Sequence, residues 1–178
     1  GKKVILNYRS GEAERFFRGW GRPWLRIVRL ADEVVSPSGY LVDVFARFGI
    51  RARSIFNVID TGKFTFRHRE PLRPVFLSNR ILEPLYNIDC ILRAYRIVLE
   101  TFPDARLTVC NDGPVRRRLE RVARTLKLRN VEFIGVVPHS KIGELYATVD
   151  VYLNSPNFDC MPGSLIECFA SGVPIVST

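Results

Sequence analysis

Short apolar runs alternate along this chain with longer segments in which apolar residues recur every three or four positions. Val4-Ile5-Leu6 makes Lys3–Tyr8 a short strand. Gly11–Phe17 predicts a helix, interrupted by Gly19, Gly21 and Pro23, and the helical pattern resumes over Trp24–Ala31. Glu33-Val34-Val35 begins a strand. Ser36-Pro37-Ser38 breaks it and opens a helix through Phe48, with Gly49 placed to cap it, and Ala52–Phe56 is a further strand. Asn57 to Pro74 carries turn residues, a charge cluster and two prolines, and reads as a linker.

The pattern is sharper beyond Pro74. Val75–Asn79 reads as a buried strand. Ile88, Ile91, Leu92, Tyr95, Val98, Leu99 and Phe102 form the apolar stripe of a helix that Pro103 ends. Arg106–Cys110 is a strand, Asn111-Asp112-Gly113-Pro114 a turn, and Pro114 opens a helix over Val115–Leu126. Val131–Ile134, Val151–Asn154 and Pro174–Ser177 are strands, separated by helices at Lys141–Thr148 and Gly163–Ser171. Strict alternation of this kind predicts βαβ units and a parallel sheet, with ligands at the carboxyl ends of its strands. Asp112, Gly135 and Asp159 all follow strands directly and are expected on that edge.

Composition narrows the class. At 178 residues and 47% hydrophobic, the chain has ample material for a packed core. No apolar run approaches the length of a membrane span, and no signal peptide is visible at the start. The charge is uneven: residues 1–70 hold 14 Lys and Arg against 7 Asp and Glu, most of the chain's +9. Arg15, Arg18, Arg22, Arg26 and Arg29 are interleaved with Phe16, Phe17, Trp20, Trp24, Leu25 and Ile27, a mix found in interfacial membrane segments; a core helix with a solvated basic face is the favoured alternative. No zinc finger, RNA-recognition motif or basic tail supports nucleic acid as a partner. Cys90 and Cys110 read as buried small hydrophobes, and Cys160 and Cys168, which flank the key loop, as accessible thiols in a cytoplasmic protein.

The densest chemistry lies in Asp159–Thr178, DCMPGSLIECFASGVPIVST. It sets a carboxylate in a loop, then Pro-Gly-Ser, then a second carboxylate, Glu167, early in a short helix. Free N–H groups at a helix N-terminus attract phosphate, and carboxylates accept from hydroxyls, so the loop suits a nucleotide sugar. The plainer alternatives are that Glu167 stabilises its own helix N-terminus and that Asp159 caps the next helix. No G-x-G-x-x-G, G-x-x-x-x-G-K-[ST] or G-x-S-x-G motif is present, which disfavours dinucleotide dehydrogenases, P-loop NTPases and α/β-hydrolases. His139 is placed at the site rim or at a helix cap rather than in catalysis.

These residues resemble the retaining GT-B glycosyltransferases of the group 1, or family 4, type. Asp159-x7-Glu167 is similar to the family's E-x7-E segment, Ser36-Pro37-Ser38 to its P-S element, and Ile55–Asp60 with Phe64 to its I-P-N-G-V-D-x-x-x-F crossover. Ser78-Asn79-Arg80 resembles the G-R turn, Asp112-Gly113-Pro114 the G-D-G-P turn, and Val131–Gly135 the V-x-F-x-G strand. The resemblance implies a Rossmann-like donor domain at 69–178, incomplete at its C-terminus. Residues 1–68 would be the tail of an acceptor-side α/β domain plus the crossover. It implies that Glu167 binds the donor ribose and that Asp159 touches the transferred sugar. Met161, Gly163, Ser164 and Leu165 would face the sugar and diphosphate, Arg80 would pair with the diphosphate, and Gly135 would lie in the donor site. Asp159 and Arg80 are thus the implied catalytic pair.

Three positions depart from the family. The first acid is Asp, one methylene shorter. The diphosphate lysine has no counterpart, its place falling to Tyr86 or Asn87, and Asn111 replaces the first glycine of G-D-G-P. The resemblance implies hexosyl transfer from a nucleoside-diphosphate sugar to a hydroxyl acceptor on a sugar, lipid-linked group or glycan, with retention. It implies no metal or cofactor, and a role in cell-surface polysaccharide or glycoconjugate synthesis. The chain is expected to be a fragment that turns over little alone, in the cytoplasm, with the basic aromatic segment as its contact with an anionic membrane. The alternative is a non-catalytic nucleotide-binding or interaction module on the same fold.

Overall fold

Eight short strands and seven α-helices alternate along the chain in the computed structural model, which describes residues 1–178. They divide into two units: Gly1–Val58 with Phe158–Gly163, and Ile59–Asn157 with Ser164–Thr178.

The first unit is built on a three-stranded parallel sheet, β1 (Ile5–Asn7), β2 (Glu33–Ser36) and β3 (Ala52–Ser54), in that spatial order. Helix α3 (Gly39–Arg47) starts at Ser38, whose hydroxyl accepts the Leu41 N–H. Its Leu41, Val44 and Phe45 pack with Phe17 of α1 (Ala13–Arg18) and with Leu25 and Val28 of α2 (Trp24–Val28). The arginine and aromatic segment therefore has two characters. Phe17, Leu25 and Val28 are buried, whereas Trp20 and Leu30 are 80% exposed and Trp24 and Ile27 more than half exposed.

The second unit is a five-stranded parallel sheet of β4 (Val75–Asn79), β5 (Arg106–Cys110), β6 (Val131–Gly135), β7 (Val151–Asn154) and β8 (Ile175–Ser177). The spatial order is β6-β5-β4-β7-β8. The chain builds outward from β4 through β5 to β6, then crosses back to lay β7 on the other side of β4. That reversal makes the carboxyl ends of β4 and β7 a topological switch point, the place where open parallel sheets bind ligands.

Side chains alternate across the sheet with period two. Leu107 and Val109 join Ile88, Ile91, Leu92 and Tyr95 of α4 (Ile88–Thr101) and Leu119 of α5 (Arg116–Thr125) on one face. Leu77, Cys110 and Tyr152 join Ile142 and Tyr146 of α6 (Ile142–Thr148) and Cys168 of α7 (Gly163–Ala170) on the other. Each fully buried Leu or Ile contributes roughly 1.5–3 kcal/mol. Phe102, expected in the α4 stripe, lies just past the helix and is exposed. Cys90, expected inside, is also exposed, because the α4 face that carries Ile88, Ile91 and Leu92 points away from it.

The expected linker contains a buried charge cluster. Asp150 has no exposed surface and pairs with Arg67 and with Arg73, whose Nε lies 2.8 Å from Oδ2. The Arg73 N–H also donates to Asp150, at 2.8 Å. Arg69, 8% exposed, donates to the carbonyls of Val149 (2.8 Å), Tyr146 (2.8 Å), Ser171 (2.6 Å) and Arg67 (2.7 Å). One guanidinium thus satisfies the carbonyl ends of both α6 and α7, a task suited to its planar fork of five donors.

Hydrogen bonds from Arg73, and then from Arg67, hold the Asp150 carboxyl well below the usual carboxylate range. A depressed folded-state pKa stabilises the fold above the unfolded pKa of about 4 and loses that contribution as pH falls towards the folded value. Asp150→Asn is expected to cost about 3 kcal/mol at pH 7 and to flatten the fall in stability below about pH 4. Urea unfolding of both proteins between pH 7 and pH 3 measures both effects.

Candidate functional site

The carboxyl ends of β4, β5 and β6 are shaped by turns with little steric freedom. A Cβ at Gly113 would lie 2.5 Å from the Leu82 carbonyl oxygen, so only glycine fits against the loop that follows β4. Gly135, at φ +75°, ends β6 in a conformation that glycine adopts without cost. Its carbonyl accepts the Asn111 N–H at 2.6 Å. Arg116 joins these turns by donating to Phe133 O (3.0 Å) and pairing with Asp112 (3.3 Å) and Glu120 (2.9 Å). Asp112 and Gly135 therefore lie at the carboxyl edge, as their sequence positions predict.

Arg80 follows β4 directly. Its guanidinium lies 4.2 Å from the centre of the Tyr86 ring, and Nη1 reaches Ser164 Oγ at 3.3 Å. Stacking on an aromatic face orients a guanidinium. Tyr86, one of the two residues at the place of the family lysine, therefore orients a cation. The loop that carries it is tied down by Asn157, whose N–H donates to Leu85 O (2.9 Å), and by Ser155, whose hydroxyl donates to Asn87 O (3.0 Å).

Glu167 lies in the second turn of α7 and is 8% exposed. The Tyr146 hydroxyl donates to its Oε2 at 2.9 Å, and His139 Nδ1 lies 3.8 Å from Oε1. Burial pushes the Tyr146 phenol far above its ordinary value, so it remains a neutral donor. Ser164 and Leu165 sit in the first turn of the same helix, with Leu165 packed against the core. Glu167, Ser164, Leu165, Arg80 and Gly135 thus share the second unit. Tyr146 is the residue that sequence reasoning missed. In Leu145-Tyr146-Ala147 it reads as one apolar position of a helix, and only the packing of α6 beside α7 shows its hydroxyl meeting a carboxylate.

Asp159, Met161 and Gly163 belong to the first unit. Asp159 Oδ1 accepts the Cys160 N–H at 2.8 Å, and the Asp159 backbone packs so closely on Gly11 that a Cβ there would lie 2.9 Å from Asp159 O. Met161 O accepts from Asn57 Nδ2 at 2.6 Å, and Cys160 Sγ donates to Arg9 O at 2.8 Å. Gly163 begins α7, and a Cβ there would meet nothing within 4 Å. No group of three or more His, Cys, Asp or Glu residues is placed to hold a metal ion.

The sequence model of the family described as glycosyl transferases group 1 matches residues 63–178. The chain belongs to this family. Among curated relatives, it is 28% identical over 138 residues to a component of the phosphatidylinositol N-acetylglucosaminyltransferase of Arabidopsis thaliana, covering 74% of this chain and 31% of that protein. It is 29% identical over 181 residues to an exopolysaccharide phosphotransferase of Streptomyces coelicolor, covering 98% and 19%. TarM of S. aureus, solved as a variant with UDP and alpha-GlcNAc-glycerol, superposes with a TM-score of 0.83 at 14% identity over 98% of this chain and 36% of its own. HepE of Anabaena, solved with UDP and glucose, gives 0.80 at 16% identity over 99% and 52%. At such identities the likeness establishes the GT-B, Rossmann-like fold. The group 1 chain spans 31% and 19% of the lengths of the two curated relatives.

The cysteines separate by environment. Cys168 is fully buried behind Glu167, contrary to the expected accessible thiol, because it faces the core from α7. Burial pushes its thiol far up, and that of Cys110 up as well. A colorimetric thiol reagent at pH 8 is expected to modify Cys90 within seconds and to leave Cys110 and Cys168 unmodified until urea unfolds the chain.

Proposed function

We propose that this chain forms the nucleoside-diphosphate-sugar-binding part of a retaining glycosyltransferase, which moves a hexosyl unit to a hydroxyl on a sugar, lipid-linked or glycan acceptor. The observation that carries the proposal is Glu167, a nearly buried carboxylate beside the switch point, oriented by a tyrosine hydroxyl and paired with no arginine or lysine. A carboxylate so held is an acceptor for vicinal hydroxyls, as a ribose offers. Arg80, stacked on Tyr86, is the cation for the diphosphate, and with Ser164 and Leu165 it completes the donor-binding side. Asp159, Met161 and Gly163 contribute contacts to the transferred sugar. The UDP bound to TarM and HepE supports a nucleoside diphosphate as the ligand class. The names of the relatives agree with glycoconjugate or cell-surface polysaccharide synthesis.

The missing lysine favours the second reading, a binding module without turnover, because each transition-state charge contact supplies about 3 kcal/mol. Calorimetry with UDP, GDP and ADP is expected to show binding that Glu167→Ala weakens at least about tenfold. Binding unchanged by that substitution sinks the site assignment. Binding without transfer or hydrolysis of any nucleotide sugar selects the second reading.

A membrane contact belongs to the same proposal. No helix is long and apolar enough to cross a membrane. Exposed Trp20, Trp24, Ile27 and Leu30 stand beside exposed Arg22 and Arg26, the chemistry of an anionic bilayer interface on the cytoplasmic side. Co-sedimentation with vesicles containing about 30% phosphatidylserine is expected to exceed that with neutral vesicles roughly tenfold at low salt and to fall in the Trp20→Ser, Trp24→Ser double variant. Equal recovery on both lipids removes this part.

A further inference from the structure

We infer that Asn111 and Tyr146 are positioning residues for ribose recognition, acting through a one-way chain of hydrogen-bond donors that ends on Glu167. This rests on the reading of Glu167 as the carboxylate that accepts from the donor ribose. Asn111 Nδ2 donates to Asn79 Oδ1 at 2.9 Å, Asn79 Nδ2 faces the Tyr146 hydroxyl oxygen at 3.5 Å, and that hydroxyl donates to Glu167 Oε2 at 2.9 Å.

The direction of the chain is what matters. An asparagine amide can present either its oxygen or its nitrogen to a neighbour. If Asn79 turned its oxygen to Tyr146, that oxygen would compete with Glu167 for the phenol proton that now orients the carboxylate. Asn111, in the orientation it takes here, opposes the reversal by donating to the Asn79 oxygen. Tyr146 then receives a donor, and its single proton goes to Glu167 Oε2 at 2.9 Å, with Ser164 O the longer alternative at 3.5 Å. With Oε2 occupied and the carboxylate plane fixed, Oε1 is the oxygen left for a hydroxyl.

Backbone conformation supports a role for this side chain beyond filling a turn. Asn111 sits at φ +85°, where glycine is relaxed and other residues are strained. Family members of the G-D-G-P pattern have glycine here. Asparagine tolerates the conformation better than most residues, and what it adds over glycine is the amide that holds Asn79. Tyr146 and Asn79 are themselves immobile: Tyr146 has no exposed surface, and Asn79 ends β4 in register with Cys110.

The test compares wild type, Asn111→Gly and Tyr146→Phe by calorimetry on the full chain. The ligands are whichever of UDP, GDP and ADP binds most tightly, and its 2′,3′-dideoxy analogue. Wild type is expected to prefer the ribonucleotide at least about tenfold, and both variants to fall below about threefold, chiefly by weaker ribonucleotide binding. The Asn111→Gly melting temperature should equal or exceed that of wild type, because glycine relieves the positive φ. A purely structural role would leave the ribose preference intact, and an unchanged preference in folded Asn111→Gly overturns the inference. If Tyr146→Phe does not fold, Asn111→Gly decides alone. A wild type with no ribose preference refutes the Glu167 reading itself, and the inference falls with it.

Discussion

The second unit depends on a buried arginine. Arg69 spends its donors on the carbonyls of Tyr146, Val149, Ser171 and Arg67, and so fastens the carbonyl ends of α6 and α7 to one planar group. A guanidinium removed from water is tolerable only when its donors are met and counter-charge lies near. Burial lowers the Arg69 pKa and Asp150 opposes that effect. Asp150 also holds Arg67 and Arg73, so four residues from a stretch resembling a linker and from the start of β7 form one structural group. Because α6 carries Tyr146 and α7 carries Glu167, this group sets the separation across which the tyrosine hydroxyl meets the carboxylate.

The site follows the same logic of groups fixed before any ligand arrives. Gly113 admits the loop after β4 at a distance no side chain allows. Gly135 turns the chain at the end of β6, and Tyr86 holds Arg80 by its ring. Each fixed group removes conformational freedom that binding would otherwise cost. Polar atoms at the carboxyl edge are oriented by neighbours that are themselves buried, as Tyr146 is beside Glu167. The Tyr86 ring steadies a guanidinium that arrives from β4.

The strands of the second unit were legible because buried parallel strands are continuous apolar runs. Val75–Asn79, Arg106–Cys110 and Val151–Asn154 stand where their patterns place them. The α4 stripe was equally clear from Ile88 to Tyr95, though Phe102 escapes it by lying past the last turn. Cys90 and Cys168 were misjudged for one reason. A small residue on a short or amphipathic helix gives no sign of which face it occupies until the neighbours are packed. The stretch 57–74 read as a linker because prolines and charges hide the fact that Arg69 is interior. The six residues 158–163 associate with the first unit, a return that no pattern along the chain records.

The alternation of strands and helices, the parallel sheet and the order of the family's landmarks were readable along the chain, because periodicity, turn residues and motif spacing are local properties. The sequence also placed Arg80, Gly135, Ser164, Leu165 and Glu167 on elements that the sheet brings to its carboxyl edge. The orientation of those groups comes from packing between distant segments. Whether Tyr146 donates to Glu167, whether Arg80 stacks on Tyr86 and which way the Asn79 amide faces depend on contacts between residues 6 to 67 positions apart in sequence. Hydrogen bonds and ring contacts act over about 3–5 Å, and nothing in a linear pattern fixes distances of that order between separate elements.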